Sequence, residues 1–179
     1  MNEKNYLSTQ LQNDLKNIVY SRLPEIYFHK AANLIIQSFK FPKIFPKKII
    51  HILFKLDFIK RKNDKNHVDI CAIINDEIIG VMRAKYNKDT WTINTNCVDK
   101  LFSKEKPFLW IKIMLFLASE ILKNTNTTIV SFSANQPAIA RIGVKYAGKY
   151  GILINPIVNS RSIDASKHYY KISKINNNV

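Results

Sequence analysis

The sequence predicts a single mixed α/β domain, and three observations predict it. Helical periodicity fills the first third, the period switches to extended at His67, and a long apolar helix then interrupts the strands. At 179 residues the chain fits one domain, 1–179, whose core stands without metal or disulfide staples. An apolar share of 46% with 11% aromatics excludes a generally disordered chain. Neither an internal repeat nor an interdomain linker is visible.

Residues 1–62 read as mostly helical. Leu7, Leu11, Leu15 and Ile18 make one stripe of a helix that Ser8 helps begin. Pro24 restarts the chain as the first residue of a second helix, with Ile26, Ala31, Leu34, Ile35 and Phe39 on its buried side. Pro42 and Pro46 end it. Over 47–62, Lys47, His51 and Lys55 share one stripe, while Ile49, Ile50, Ile52, Leu53 and Leu56 cover the rest. This basic amphipathic segment reads as an ordinary surface helix with solvated lysines.

The core, 67–175, opens with a hairpin. Residues 68–74 form a short apolar run, Asn75, Asp76 and Glu77 a polar turn, and 78–86 a second strand. Asn87, Lys88 and Asp89 turn the chain again into an alternating strand over 91–98. A polar connection, 99–106, leads to Pro107 and a helix over 108–123 that is apolar almost all round, so it packs on most sides. A β-branched strand at 127–133 follows, and strand, buried helix, strand implies parallel pairing. Residues 137–147 predict a short helix closed by Gly148, before two last strands at 152–158 and 168–175.

Composition bounds the function. Cys71 and Cys97 lie in apolar stretches and read as buried thiols of a reducing, cytoplasmic compartment. Four scattered histidines and two cysteines offer no metal-ligand spacing, so no metal is expected. Residues 1–15 have neither the basic nor the apolar region of a signal peptide, and the longest apolar run, 108–122, is too short and too charged to span a membrane. The formal charge is +15, yet 23 of the 28 basic residues are lysine and only five arginine. Sequence-reading nucleic-acid contacts lean on arginine, so the charge argues for an anionic ligand or partner in general: a phosphate-bearing coenzyme, RNA, an acidic protein or an anionic lipid surface.

Two segments carry a resemblance. Residues 74–86 form a hairpin with a polar turn, two apolar residues and then Gly80, a glycine inside a strand that a bulge or a close backbone approach would require. Residues 133–152 carry Asn135 at a strand end, then Ala138, Arg141, Lys145, Tyr146 and Gly148 on a short helix. With the order of elements, these resemble the GCN5-related N-acetyltransferase superfamily over about 68–175. The resemblance implies a central antiparallel meander, a buried helix and a V-shaped split between central strands. It also implies direct transfer of an acetyl or longer acyl group from acyl-CoA to an amine.

By the resemblance, Asn135 would hydrogen-bond the pantetheine arm and Tyr146, with Tyr150 in reserve, would protonate the leaving thiolate. The strand 95–98, ending in Cys97 and Val98, would offer main-chain N–H groups to the thioester carbonyl. The family's glycine-rich pyrophosphate loop is replaced here by 102–110, which has no glycine and contains Pro107. Lys104 and Lys106 would then meet the phosphates as point charges. No general base stands out among Glu25, His29, Glu77, Asp99 and His168. The amine acceptor stays open between a protein, a small metabolite and an aminoacyl-tRNA, and a homodimer is compatible with the sequence. Two readings compete: an inactive module of the same fold that binds nucleic acid or a partner protein through its lysines, and a peripheral membrane or secreted-effector protein using 43–62 as a surface anchor.

Overall fold

The computed structural model describes residues 17–39, 41, 45–87, 90–105, 109–123, 128–134, 147–148, 152–156 and 167–174. Most of the expected helix over 7–18 and most of the short helix over 137–147 lie outside them.

The chain enters the sheet before it forms a helix. Strand β1, Val19–Arg22, pairs antiparallel with β2, His67–Ile74, from Val19 opposite Ile73 to Arg22 opposite Ile70. This adds a strand, which the sequence did not suggest, to a first third expected to be mostly helical. An edge strand takes its hydrogen bonds from a partner about fifty residues away, and local periodicity cannot register that. A 3-10 turn, Glu25–Tyr27, then leads into α1, Phe28–Ser38. Ala31, Leu34 and Ile35 are buried as expected, but Ile26 is 79% exposed on the turn and Phe39 has left the helix in an extended conformation. Helix α2 is Lys47–Arg61, and it buries Ile50 and Phe58. Its other aliphatic residues, Ile49, Ile52, Leu53, Leu56 and Ile59, face solvent.

The meander is β2, β3 (Glu77–Asn87) and β4 (Thr90–Val98), antiparallel throughout. Its first turn has only Asn75 and Asp76 between Ile74 and Glu77, with φ of 48° and 63°. Two consecutive positive values make a type I′ turn, whose twist matches the flanking strands and which Asn and Asp tolerate. The turn is tied down: Tyr27 and Lys30 of the preceding helical segment both reach Asp76, and Lys30 Nζ lies 2.8 Å from Glu77 Oε1.

Between β4 and α4, Leu109–Leu122, the structure has a six-residue helix, α3, Lys100–Glu105, where the sequence suggested a polar connection. Asp99 starts it, its Oδ1 accepting from Leu101 N at 2.9 Å and its carbonyl from Ser103 N at 2.8 Å. Three more strands complete the sheet: β5 (Thr128–Ala134), β6 (Ile152–Pro156) and β7 (Lys167–Lys174). The order is β1-β2-β3-β4-β5-β7-β6, and among the described strands only β4 and β5 run parallel. Helix α4 covers one face, where Ile113, Leu115 and Leu117 meet Ile70, Ala72, Met82 and Ile93. Helix α1 and Phe58 of α2 cover the other, over Cys71, Val81 and Cys97. Successive strand residues serve opposite layers, as the two-residue period requires.

Candidate active site

The feature that positions a site is the parting of β4 from β5. They pair only at Thr90–Thr128, Trp91–Ile129 and Thr92–Val130. Both strands then continue, β4 to Val98 against β3 and β5 to Ala134 against β7. The register of β4 on β3 slips just beyond the last pair with β5: Ala84 faces Ile93 and Arg83 faces Thr95, leaving Asn94 as an extra residue. A bulge bends its strand and adds twist. The two central strands therefore open into a V from Asn94 onward.

One hydrogen bond fixes which main-chain groups face that opening. Asp99 N donates to Ile79 O at 2.9 Å, beyond the Val98–Gly80 pair. In an antiparallel ladder this makes Val98 and Gly80 a pair that is not hydrogen-bonded to each other. The N–H groups of Val98 and, two residues back, Asn96 thus point away from β3, towards β5. That of Cys97 points to β3.

Behind this wall the packing is tight. A Cβ on Gly80 would stand 2.4 Å from Ile113 Cδ1, so the glycine lets α4 lie directly on the sheet. Arg83 is buried with its Nε 2.9 Å from Asp69 Oδ1, its Nη2 2.7 Å from Asp57 Oδ2 and its Cζ 4.5 Å from the centre of the Phe58 ring. Burial opposes the charge, and Asp69 and Asp57 more than offset it, so its pKa stands above the ordinary arginine value. Burial pushes the Cys97 thiol up to about 12, against a hydrogen bond from Ser38 and the field of Arg83.

No protein-family model matches the sequence, and no curated protein does. Solved structures do. The PaiA N-acetyltransferase of Thermoplasma acidophilum, in complex with coenzyme A, is 14% identical over 88% of this chain and 98% of its own, with a TM-score of 0.54. An aminoglycoside 6'-N-acetyltransferase complexed with coenzyme A is 14% identical, over 88% and 97%, with a TM-score of 0.51. A GNAT-family acetyltransferase of Staphylococcus aureus is 13% identical, over 88% and 99%, with a TM-score of 0.54. The chain has the GCN5-related N-acetyltransferase fold.

On this acetyltransferase fold the expected site residues fall in different places. Val98 borders the opening, and its side chain packs on the α4 layer. The Cys97 side chain is buried in the α1 layer, so the residue is part of the wall rather than of the opening. Lys104 lies exposed on α3, at the end of β4. Lys106, Asn135, Tyr146 and Tyr150 lie outside the described residues. Sequence reasoning did not single out Asn96, whose N–H faces the same way as that of Val98. The slip at Asn94 is what places it there, and that is visible only once β3 and β4 are paired.

The base candidates separate too. Glu25 is ion-paired with Lys62 at 2.5 Å, Glu77 with Lys30 at 2.8 Å, and His29 stacks edge-on against His51, all on the α1 and α2 side. Asp99 follows the last residue of β4, and the backbone of His168 lies opposite Ser133 near the end of β5, so these two lie at the open end. At the closed end is a separate cavity of about 400 Å³ lined by Arg22, Lys62, His67, Trp91 and Glu120. His67 Nδ1 there lies 2.7 Å from Asp64 Oδ2. His67 Nε2 and Trp91 Nε1 are buried without a hydrogen-bond partner. Among the described residues no group of three His, Cys, Asp or Glu side chains is placed to hold a metal ion, and no helix is long and apolar enough to cross a membrane.

Proposed function

We propose that the protein is an acyl-CoA-dependent N-acyltransferase. The observation that carries this is the opening beyond Thr92, with main-chain donors of one bulged strand directed into it. In this reading the pantetheine arm lies along β4 as a pseudo-strand, hydrogen-bonded through Asn96 and from the other side by Asn135. The Val98 N–H meets the thioester oxygen. An unprotonated amine attacks the carbonyl carbon, and negative charge gathers on that oxygen, where a fixed N–H stabilises it better than mobile water does. Collapse breaks the C–S bond, and Tyr146 gives the CoA thiolate its proton. The acyl group ends on the amine, whose surplus proton leaves to solvent or to a base such as Asp99 or His168.

The pyrophosphate site would depart from a glycine loop. Helix α3 occupies the connection, so Lys104 and Lys106 would neutralise phosphates as point charges. Binding should then weaken with salt more steeply than in a relative with a glycine loop. The acceptor would be an amine on an anionic carrier, consistent with a net charge of +15. The glycine-free connection also supports a second reading, an inactive module of this fold that uses its lysines to hold nucleic acid or an acidic protein.

Titration calorimetry with acetyl-CoA and with longer acyl-CoA separates the two. The transferase reading expects saturable one-site binding that Lys104→Glu weakens. No heat with any chain length from acetyl to palmitoyl, together with RNA affinity that falls steeply with salt, would establish the inactive module instead.

A further inference from the structure

Helix α2 is apolar on two opposite faces. Ile50, Phe54 and Phe58 turn inward, with Phe58 stacked on Phe28 at 5.3 Å. Ile49, Ile52, Leu53, Leu56 and Ile59 stand 46–58% exposed. At about 100° per residue these five fall in an arc of about 120° on the side opposite Phe58. Phe45, 54% exposed just before the helix, extends the apolar stretch. A lone exposed leucine is ordinary, whereas a contiguous aliphatic strip marks a binding surface.

The remaining exposed residues of α2 are Lys47, Lys48, Lys55 and Lys60. Lys48 and Lys55 rim one edge of the strip, and Lys60 stands at its C-terminal end, within the arc near the other edge. The sole acid of the helix, Asp57, is drawn away by Arg61 at 2.6 Å and Arg83 at 2.7 Å. Every exposed side chain of α2 is thus either aliphatic or a lysine.

That composition decides the partner. The cores of protein interfaces are rich in aromatic residues and arginine and poor in lysine; the strip has no exposed arginine, and its one exposed aromatic, Phe45, lies before the helix. A second copy would bring its own lysines against these. An anionic bilayer matches both features: aliphatic side chains reach the acyl boundary, and lysine stems reach back to the phosphates. We propose that α2 lies flat on anionic phospholipid membranes, with Ile49, Ile52, Leu53, Leu56 and Ile59 in the headgroup layer and Lys48, Lys55 and Lys60 against lipid phosphates. Its 15 residues span about 22 Å at the usual rise, suited to lying in the interface and too short to cross it. This docking does not depend on the transferase reading.

Co-sedimentation of the full chain tests it, with vesicles of pure phosphatidylcholine and with vesicles enriched in phosphatidylserine. The protein should pellet with the second only. The double variant Ile52→Asp, Leu56→Asp should stay in the supernatant with unchanged circular dichroism, both sites being exposed. The triple variant Lys48→Gln, Lys55→Gln, Lys60→Gln should lose roughly a hundredfold in affinity. The proposal is overturned if the wild type does not pellet with anionic vesicles, or if the Ile52→Asp, Leu56→Asp variant pellets as well as wild type, since net charge alone would then hold it. It is equally overturned if light scattering finds a wild-type dimer that this variant dissociates, which would give the strip to a second copy.

Discussion

Arg83 shows how one residue can join layers of this fold. Its guanidinium ties Asp57 of α2 to Asp69 of β2 while lying on the Phe58 ring, and its side chain is 4% exposed. Arg83→Met leaves Asp69 facing an apolar side chain while Asp57 keeps Arg61, and we expect a loss of about 3 kcal/mol in urea unfolding. Arg83→Lys should recover only part of it, because one ammonium cannot match the fork that meets both acids. Gly80 makes a second single-residue argument. Gly80→Ala sets a methyl 2.4 Å from Ile113 Cδ1, with an expected loss of about 1–3 kcal/mol. Ile113→Val removes that carbon, so the double variant should be more stable than the two separate losses predict. Cys97, pushed up to about 12, should resist iodoacetamide at pH 8 in the folded protein and react at once in denaturant.

At the scale of elements, β4 carries the proposed site and the Asn75-Asp76 turn orders the meander. The V opening needs a strand whose outward N–H groups are not used by a neighbour, and the bulge at Asn94 supplies it. Val98→Pro removes the one donor assigned to the thioester oxygen without touching the ladder to β3. Turnover should fall about a hundredfold, measured under saturating acyl-CoA, with little change in unfolding midpoint. A loss of folding alongside activity would mean that the N–H serves structure rather than the reaction. Helices α1 and α2 contribute differently. They wall the sheet through Phe28, Ile35 and Phe58, while the outer strip of α2 is left for a partner.

For the whole molecule, acid stability follows from paired carboxylates at the seams. A hydrogen bond from Lys62 holds Glu25 below its usual range, the backbone N–H of Asn66 does the same for Asp64, and Tyr27 followed by Lys30 for Asp76. Each is a depressed carboxylate, so its contribution is complete above the ordinary value near 4 and disappears as pH falls through the lower folded value. The thermal midpoint should therefore be level from about pH 5 to 7 and drop below about pH 4. Substitution of Asp76 by Asn should flatten that drop, since it removes the carboxylate that Tyr27 and Lys30 share. If the transferase proposal holds, acyl-CoA, binding only the folded chain, should raise the midpoint in proportion to the logarithm of its concentration.

Much of this was written in the sequence. The meander over 67–98, the buried helix and the strand after it follow from local period and turn chemistry, because hydrophobic alternation and Asn-Asp turns act over a few residues. Gly80 was legible as a bulge or a close approach, and the structure shows the contact with Ile113. Strand β1 was not, because Val19–Arg22 is extended only by virtue of its pairing with Ile70–Ile73. Nor was the fate of the aliphatic residues in α2: two apolar faces look alike in a periodicity, and only packing on α1 decides which one is buried. The bulge at Asn94, and with it the donors at Asn96 and Val98, depends on the register between two strands. Local sequence names a residue's preferences, but register and partner belong to the assembled sheet.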